Sequence, residues 1–289
     1  MRADDATDAL AALARRAGRT IMAVRAEGFE VERKGDESPV TRADRAAETV
    51  ILEGLCALIA RGTLPDVPIV AEEAVSANGV PELATRDLIL VDPLDGTKEF
   101  ARGGEDFTVN IALVKGGAPV LGVVFQPALD ALFTGGPGGA FVVRGGRRAR
   151  MCARALEPGE RLRIVASRSH RTAETDAWIG RVERAFGAGA GTSDVVSCGS
   201  SLKFCRLAEG RAHLYPCIGR TMEWDTAAGD AVLRAAGGMT YSSDGEPMIY
   251  GRSAGSAGTG RRVPDRAFAN PPFIASARAF DALPEAMRG

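Results

Sequence analysis

The ten residues LILVDPLDGT (88–97) set the architecture expected for this chain. Their first four residues, Leu88–Val91, predict a buried strand, because a short apolar run bounded by turn residues is typical of strands covered on both faces. We expect this strand to end sharply at Asp92-Pro93, since proline restricts the residue before it. A short helix is expected over 98–101. Functional side chains commonly project from such element ends.

Upstream of this stretch, a helix and a second strand are expected. Thr41 has the character of an N-cap residue, and Asp44 stands at the third helical position, which is the capping-box pattern. The helix is expected to continue to about Ala60, and Pro65 and Pro68 then interrupt the chain. The apolar residues Ile69–Ala71 predict a short strand directly before the acidic pair Glu72-Glu73.

Downstream, the pattern changes from strands alone to strands alternating with helices. Three strand patterns separated by turn residues within 108–134 predict an antiparallel meander. After the segment EPGER (157–161) the alternating pattern begins. We therefore expect an α/β (α+β) fold, with an N-terminal α+β domain at 1–157 and a C-terminal α/β domain at 158–289.

Composition excludes several classes of protein. The 289 residues carry 36 basic and 37 acidic side chains, and a net charge of −1 gives no general attraction to nucleic acid. No apolar run approaches the roughly 20 residues of a membrane span, and the N-terminus lacks the pattern of a secretory signal. Five cysteines without a C-x-x-C pair, and only two histidines, make a structural zinc site improbable. We expect a cytoplasmic protein with reduced thiols.

Three acidic clusters lie at the ends of predicted elements. They are Glu72-Glu73, Asp92-x-x-Asp95, and Asp225 at the head of a helical stretch. Each has a structural interpretation as well. Glu72-Glu73 can be a solvated pair, Asp95-Gly96 can be a tight turn, and Asp225 can be a helix N-cap.

The pair Asp92 and Asp95 is the most informative of the three. Two carboxylates three residues apart at the end of a buried strand repel each other unless a cation lies between them. The N–H groups that open the following helix suit a phosphate oxygen. Oxygen ligands without nearby His or Cys favour Mg²⁺ over Zn²⁺. These residues therefore predict a metal-assisted phosphate site.

The same segments resemble the inositol monophosphatase superfamily. The resemblance is carried by SPVTRAD (38–44), the pair at 72–73, DPLDGTKEF (92–100) and WDTAAGDAVLRAAGG (224–238). Further segments, SRSHR (167–171), GSSLKFCRLAEGRAHLYP (199–216) and NPPFIA (270–275), resemble the 3'(2'),5'-bisphosphate nucleotidases of the CysQ type. The resemblance implies a layered αβαβα sandwich and a Mg²⁺-dependent, lithium-sensitive phosphomonoesterase of sulfur metabolism.

The resemblance also implies a role for each matching residue. The metal ligands would be Glu72, Asp92, the carbonyl of Leu94, Asp95 and Asp225, which would hold two Mg²⁺ ions, with a third, looser ion beside the attacking water. The catalytic residues would be Asp44, Thr97 and Glu73. The substrate-binding residues would be Gly96, Thr97, Ser200, Ser201, Lys203, His170 and Arg220.

The substrate implied by the subgroup is adenosine 3',5'-bisphosphate, with its sulfated analogue PAPS as a second substrate. Lys203 is the candidate for the phosphate that is not cleaved, although a helix lysine in solvent is the simpler interpretation. His170 is a candidate for the nucleoside and could equally be structural. Two residues depart from the subgroup pattern: Cys217 stands where a basic residue is expected, and Asp230 stands where His is expected.

Several alternatives stay open. An inositol monophosphatase or a sugar-bisphosphate phosphatase would use the same metal site. A non-catalytic regulator that binds Mg²⁺ or nucleotide would keep the fold without releasing phosphate. The resemblance also allows a homodimer and peripheral association with the inner membrane.

Overall fold

The computed structural model describes residues 3–33, 39–167, 173–185, 193–252, 267–279 and 285–288. The helices are α1 (Ala3–Glu27), α2 (Arg42–Ala60), α3 (Glu72–Asn78), α4 (Thr97–Ala101), α5 (Ala173–Ala185), α6 (Leu202–Ala208) and α7 (Glu223–Ala235), with 3-10 turns at Pro127–Leu129 and Glu285–Met287. The strands are β1 (Val31–Arg33), β2 (Pro39–Thr41), β3 (Ile69–Ala71), β4 (Leu88–Asp95), β5 (Thr108–Lys115), β6 (Ala118–Gln126), β7 (Ala131–Gly136), β8 (Gly139–Arg144), β9 (Arg147–Met151), β10 (Arg163–Ser167), β11 (Asp194–Cys198), β12 (Leu214–Cys217), β13 (Met239–Ser242) and β14 (Phe273–Ser276). No helix in these ranges is both long and apolar enough to cross a membrane.

The start of α2 confirms the predicted capping box. The Thr41 hydroxyl accepts a hydrogen bond from the N–H of Ala43 at 3.1 Å, and the Asp44 carboxylate accepts one from the N–H of Thr41 at 2.8 Å. These bonds satisfy donors that a helix N-terminus otherwise leaves without partners. They also fix the orientation of the Asp44 side chain.

A seven-stranded sheet forms the N-terminal part of the fold. Its strand order is β3-β4-β5-β6-β7-β8-β9. The first pair, β3 and β4, is parallel, and every other pair is antiparallel, so the predicted meander is confirmed. A separate two-stranded ribbon pairs β1 with β2.

The prediction that the strand stops before Asp92-Pro93 is wrong. Strand β4 continues to Asp95, and its pairing with β5 shifts between the pairs Asp92–Asn110 and Asp95–Thr108. Three steps along β4 match two steps along β5 there, so β4 has a bulge. Proline is tolerated at a bulge because it need not donate to the ladder there.

A five-stranded mixed sheet forms the C-terminal part. Its order is β11-β10-β12-β14-β13. Strand β10 runs parallel to both β11 and β12, whereas β14 is antiparallel to both β12 and β13.

The apolar cores formed by the described residues show how the layers stack. One core lies between helices α1 and α2 and one face of the large sheet. A second lies between the other face of that sheet, helices α6 and α7, and the small sheet. A third lies between the opposite face of the small sheet and helix α5. The expected αβαβα sandwich is therefore confirmed.

Helix α7 packs unusually close to the large sheet. A Cβ atom at Gly122 would lie 2.3 Å from the carbonyl oxygen of Ala228, and one at Gly135 would lie 2.4 Å from the Cα of Val232. Only glycine permits this approach of helix backbone to strand backbone. Although α7 follows the predicted domain boundary at 157, it covers the sheet that precedes the boundary. The division at 157 stays a prediction.

Candidate active site

The first part of the site forms at the carboxyl ends of β3 and β4. These strands are parallel, and their pairing places Ala71 opposite Val91. The next residues, Glu72 at the start of α3 and Asp92 at the bulge of β4, therefore lie side by side at this edge of the sheet. Ligands of open α/β sheets characteristically bind at the carboxyl ends of strands.

The bulge in β4 orients the carboxylates of Asp92 and Asp95. The Asp92 carboxylate turns back onto its own strand and accepts a hydrogen bond from the N–H of Leu94 at 3.0 Å. The extra residue in β4 changes the direction of the strand before Asp95. The Asp95 carboxylate accepts a hydrogen bond from the N–H of Ser201 at 2.6 Å. The two carboxylates therefore contact different backbone groups, and both line the same cavity.

Gly96 turns the chain from β4 into α4. Its φ of +95° lies in the left-handed region, and a Cβ there would lie 2.8 Å from the carbonyl oxygen of Asp106. Both facts require glycine at this position. The turn places the hydroxyl of Thr97 3.0 Å from Oδ1 of Asp44 and 3.2 Å from the carbonyl oxygen of Leu94.

Asp225 reaches the site from the first turn of α7. It is not the helix N-cap that its position allowed, because α7 begins at Glu223 and Met222 is the cap. The Asp225 carboxylate instead accepts a hydrogen bond from the N–H of Met222 at 2.7 Å. This contact holds one carboxylate oxygen at the helix start, where a negative charge is favoured.

One cavity collects most of the predicted residues. Its lining includes Glu72, Asp92, Leu94, Asp95, Gly96, Thr97, Ser200, Lys203, Arg220 and Asp225. Asp44, Glu73 and Ser201 are not among the lining residues, although Asp44 contacts Thr97 directly. His170 lies outside the described residues.

The buried acids of the cavity influence one another's pKa. Burial raises the pKa of Asp225 well above its usual value, and the charges of Asp95 and Glu72 raise it further. Burial also raises the pKa of Asp95, and the nearby Lys203 ammonium partly opposes that rise. Like charges held together in this way are relieved by a cation.

The candidate ligands suit a hard cation. They are oxygen atoms of carboxylates and of one carbonyl group, which is the donor set that Mg²⁺ prefers. Among the residues that the structure describes, no three His, Cys, Asp or Glu side chains stand together as a complete metal-ligand set. Mg²⁺ typically takes one or two carboxylates together with water and substrate phosphate. From the chemistry of the donor set, the residues fit the ion.

Two of the predicted cations line the cavity. Lys203 is only 7% exposed, and its Nζ donates to the carbonyl of Ser200 at 2.6 Å. The same ammonium lies 5.2 Å from the ring centre of Tyr215. The other cation, Arg220, is exposed at the cavity wall. The solvated interpretation of Lys203 is therefore wrong, because its charge is directed into the protein.

The two departures from the subgroup pattern have different consequences. Cys217 lines the cavity, and burial raises the pKa of its thiol, so it contributes no charge there. Asp230 is buried elsewhere, in contact with Thr240 at 2.7 Å, Tyr250 at 3.1 Å and Arg234 at 2.9 Å. Asp230 therefore has its own partners and does not alter the charge of the cavity.

Three further residues support the site and were not predicted from the sequence. Glu48 accepts a hydrogen bond from the N–H of Glu73 at 2.9 Å and so holds the start of α3. Asn270 donates to the carbonyl of Met222 at 2.7 Å and holds the start of α7. Asn110, a polar residue within the apolar strand β5, donates to the Ser201 hydroxyl at 2.9 Å. Asn110 left a signal in the sequence as a polar residue in an apolar strand, and Asn270 opens the segment NPPFIA that carries part of the resemblance.

Comparison with known proteins agrees with this geometry. Residues 3–271 match the inositol monophosphatase family. The chain is 41% identical over 271 residues to the 3'(2'),5'-bisphosphate nucleotidase CysQ of Escherichia coli K12, a match that covers 93% of this chain and 98% of the relative. It is 37% identical over 251 residues to the protein of the same name from Buchnera aphidicola, covering 86% and 88% of the two chains.

Solved structures show the same fold. CysQ from Bacteroides thetaiotaomicron matches with a TM-score of 0.71 and 33% identity, over 94% of this chain and 98% of that one. An IMPase from Thermotoga maritima matches with a TM-score of 0.68 and 27% identity, over 93% and 91% of the two chains. The carboxylate-lined cavity, the sandwich fold and the extent of these matches lead to one conclusion: this chain belongs to the inositol monophosphatase family.

Proposed function

We propose that this chain is a Mg²⁺-dependent 3'(2'),5'-bisphosphate nucleotidase, a phosphoric monoester hydrolase. Its substrate would be adenosine 3',5'-bisphosphate, from which it removes the 3'-phosphate, with PAPS as a second substrate. The observation that carries the proposal is the 41% identity to a CysQ nucleotidase over 93% of the chain. The cavity supplies acids for a cation and cations for a second phosphate.

Five residues would hold the metal. They are Glu72, Asp92, Leu94 through its carbonyl, Asp95 and Asp225, and we propose that they hold two Mg²⁺ ions, with a third of weaker affinity. When bound, Mg²⁺ supplies Lewis-acid chemistry that makes water more acidic and stabilises negative charge in the transition state. Glu73, which follows Glu72 at the start of α3, is proposed to act with Asp44 and Thr97 as a catalytic residue.

The Asp44–Thr97 contact would orient the attacking water. The Thr97 hydroxyl hydrogen is directed toward oxygen acceptors, Asp44 Oδ1 at 3.0 Å and the Leu94 carbonyl at 3.2 Å. The lone pairs of the same oxygen then remain to accept a hydrogen bond from water. Asp44 fixes this orientation because Thr41 anchors its other oxygen.

Backbone and side-chain donors would bind the substrate phosphates. Gly96 and Thr97 line the cavity where α4 begins, and their N–H groups are proposed to bind the phosphate that is cleaved. Ser200 has a buried hydroxyl oxygen without a hydrogen-bond partner among the described residues, so a substrate oxygen would satisfy it. Lys203 and Arg220 are proposed to hold the second phosphate.

The proposal for Ser201 changes with the structure. Its hydroxyl donates to the carbonyl of Asp225 and accepts from Asn110, so it is committed to protein groups. We retain His170 as a predicted contact to the nucleoside. We also retain the domain division at 157, a cytoplasmic location in keeping with five free cysteines, and the homodimer as proposals.

A phosphate-release assay tests the function. The ratio kcat/KM would be compared for adenosine 3',5'-bisphosphate, PAPS, inositol 1-phosphate and fructose 1,6-bisphosphate, with Mg²⁺, with EDTA and with added lithium. We expect the nucleotide to be preferred, EDTA to abolish turnover and lithium to inhibit it. A preference for inositol phosphate or for the sugar would overturn the nucleotide assignment. Binding without phosphate release would identify a regulator.

A further inference from the structure

A buried polar pair lies directly behind the acids and has no part in the chemistry proposed above. Asn110 is 0% exposed and Ser201 is 1% exposed. The Asn110 side-chain amide donates to the Ser201 hydroxyl at 2.9 Å, although the two residues are 91 positions apart in the chain. Asn110 belongs to the large sheet, and Ser201 immediately precedes α6, so the bond connects two layers of the sandwich.

Ser201 contacts both of the acids that approach the site from different elements. Its N–H donates to Oδ2 of Asp95 at 2.6 Å, at the end of β4. Its hydroxyl donates to the carbonyl oxygen of Asp225, in the first turn of α7. One residue therefore spans the gap between the two acids.

The hydrogen bond from Asn110 orients the Ser201 hydroxyl toward Asp225. A serine hydroxyl has a single hydrogen, and because its oxygen accepts from Asn110, that hydrogen is available for the Asp225 carbonyl. The Oδ1 atom of Asn110 is buried without a hydrogen-bond partner among the described residues. The Asn110 amide also hydrogen-bonds the Asp95 carboxylate and stabilises its negative charge, so Asn110 contacts one of the two acids directly.

The backbone before Ser201 is also held in a rare conformation. Ser200 has a φ of +45°, in the left-handed region that residues with a side chain seldom adopt. This conformation presents the Ser201 N–H to Asp95 at the start of α6. Conformations of this kind cluster at functional sites.

We propose that Asn110 and Ser201 are positioning residues that set the separation of Asp95 and Asp225, and thereby the affinity for Mg²⁺. The inference rests on the proposed function. Residues behind metal ligands typically change metal affinity by about 10–100-fold when they are mutated.

The test measures Mg²⁺ binding apart from turnover. The full chain would be titrated with Mg²⁺ by calorimetry as wild type, Asn110→Ala, Ser201→Ala and the double variant, and Tm would be recorded without metal. We expect each single variant to weaken the Mg²⁺ Kd by about 10-fold or more. The double variant should weaken the Kd by less than the product of the two single effects, since the two residues contact each other and share Asp95. At saturating Mg²⁺, kcat should fall while KM for adenosine 3',5'-bisphosphate stays within about twofold.

A matched control separates positioning from stability. Thr240→Val also removes a buried hydroxyl hydrogen bond, the 2.7 Å bond to Asp230, away from the cavity. It should lower Tm without changing the Mg²⁺ Kd. If Ser201→Ala fails to fold, Asn110→Ala carries the test, because it leaves the Ser201 hydroxyl in place.

The outcomes are distinguishable. A wild-type chain that does not bind Mg²⁺ contradicts the proposed function. A wild-type chain that binds Mg²⁺, with Asn110→Ala and Ser201→Ala binding equally well, overturns the inference and leaves the function standing. The inference is also overturned if Asn110→Ala and Ser201→Ala lower Tm without changing the Mg²⁺ Kd. It is overturned as well if Thr240→Val changes the Mg²⁺ Kd as much as they do.

Discussion

The hydroxyl of Thr97 lies 3.0 Å from Oδ1 of Asp44, although 53 positions separate the two residues in the chain. Thr97 opens α4, and Asp44 is the capping acid of α2, so the carboxylate that caps one helix through Oδ2 orients a residue of the other through Oδ1. Replacing Thr97 by Val removes the hydroxyl and keeps the shape of the side chain. We expect kcat for phosphate release to fall by about 100-fold, in the range of a lost acid–base or orienting group.

The matched variant is Thr97→Ser, which keeps the hydroxyl and should stay within about tenfold of wild type. Circular dichroism would verify that both variants are folded. Equal rates in Thr97→Val and Thr97→Ser would show that the hydroxyl does not orient the water.

The acids Asp95 and Asp225 can be tested with isosteric amides. Asp95→Asn and Asp225→Asn keep an oxygen that can accept the N–H groups of Ser201 and Met222, so the fold should persist. Loss of the negative charge removes a ligand of the proposed metal and should lower kcat by about 1,000-fold or more. At about 1.36 kcal/mol for each tenfold, this corresponds to about 4 kcal/mol of barrier. Phosphate release and Tm would be measured together. Turnover like that of wild type in either folded variant would refute the metal assignment.

Gly96 should be intolerant of any side chain. In Gly96→Ala, the left-handed backbone costs about 1–2 kcal/mol and the new Cβ meets the Asp106 carbonyl 2.8 Å away. We expect a lower free energy of unfolding and a reduced kcat, because relief of the contact displaces Thr97. Gly62→Ala is the control, since Gly62 also has a positive φ but has no atom within 4 Å of the added Cβ. If both variants lose the same stability and neither loses activity, the close approach at Gly96 has no functional role.

Substitutions of the cations Lys203 and Arg220 should differ in their effects on kcat and KM. Arg220→Ala should raise KM for adenosine 3',5'-bisphosphate by about tenfold, equivalent to about 1.4 kcal/mol, and leave KM for inositol 1-phosphate unchanged. Lys203→Met should lower kcat as well as raise KM, because the Lys203 ammonium also interacts with Asp95. Kinetics on both substrates provide the comparison. An equal effect of Arg220→Ala on both substrates would exclude Arg220 from the second phosphate.

His213 gives the protein an acid-sensitive contact away from the cavity. Burial lowers the pKa of His213 below its usual 6.5, the charge of Arg163 acts in the same direction, and Glu160 opposes them. The unfolded chain therefore binds a proton at higher pH than the folded chain, so this contribution to stability is present above pH 6.5 and is lost as the pH falls.

The variant His213→Gln isolates this effect, because glutamine can still accept the hydrogen bond that the N–H of Arg163 donates to Nδ1 at 3.0 Å. Urea unfolding at pH 7.5 and at pH 5.5 would give the change in free energy for each protein. Wild type should lose more stability than His213→Gln on acidification. Identical losses in the two proteins would mean that the folded state does not lower the pKa of His213.

Local patterns were sufficient to predict most of the architecture. The capping box at Thr41 and Asp44 and the strand before Glu72 depend on neighbours in the chain, so the sequence reports them directly. The family and the sandwich fold were also predicted correctly, but from the resemblance of longer segments such as DPLDGTKEF (92–100). The end of β4 was predicted wrongly at Asp92-Pro93, because the bulge depends on pairing with Asn110 and Thr108, which no local pattern encodes.

The hydrogen bonds that support the site could not be predicted from local sequence patterns. Glu48 and Asn270 act on backbone groups of α3 and of the turn before α7, far from them in sequence. Ser201 was assigned to the substrate together with Ser200 and Lys203, on the resemblance of the segment that contains them. Its actual partners, Asn110 and Asp225, become visible only when two layers are brought together.

The position of α7 has a consequence for the newborn polypeptide. The strands of the large sheet leave the ribosome well before Glu223–Ala235, the helix that lies against Gly122 and Gly135. Until that helix emerges, one apolar side of the sheet has no cover, and such surfaces promote aggregation. A nascent chain interrupted between β9 and α7 would therefore be a client for chaperones, and it would also lack the last acid of its own catalytic pocket.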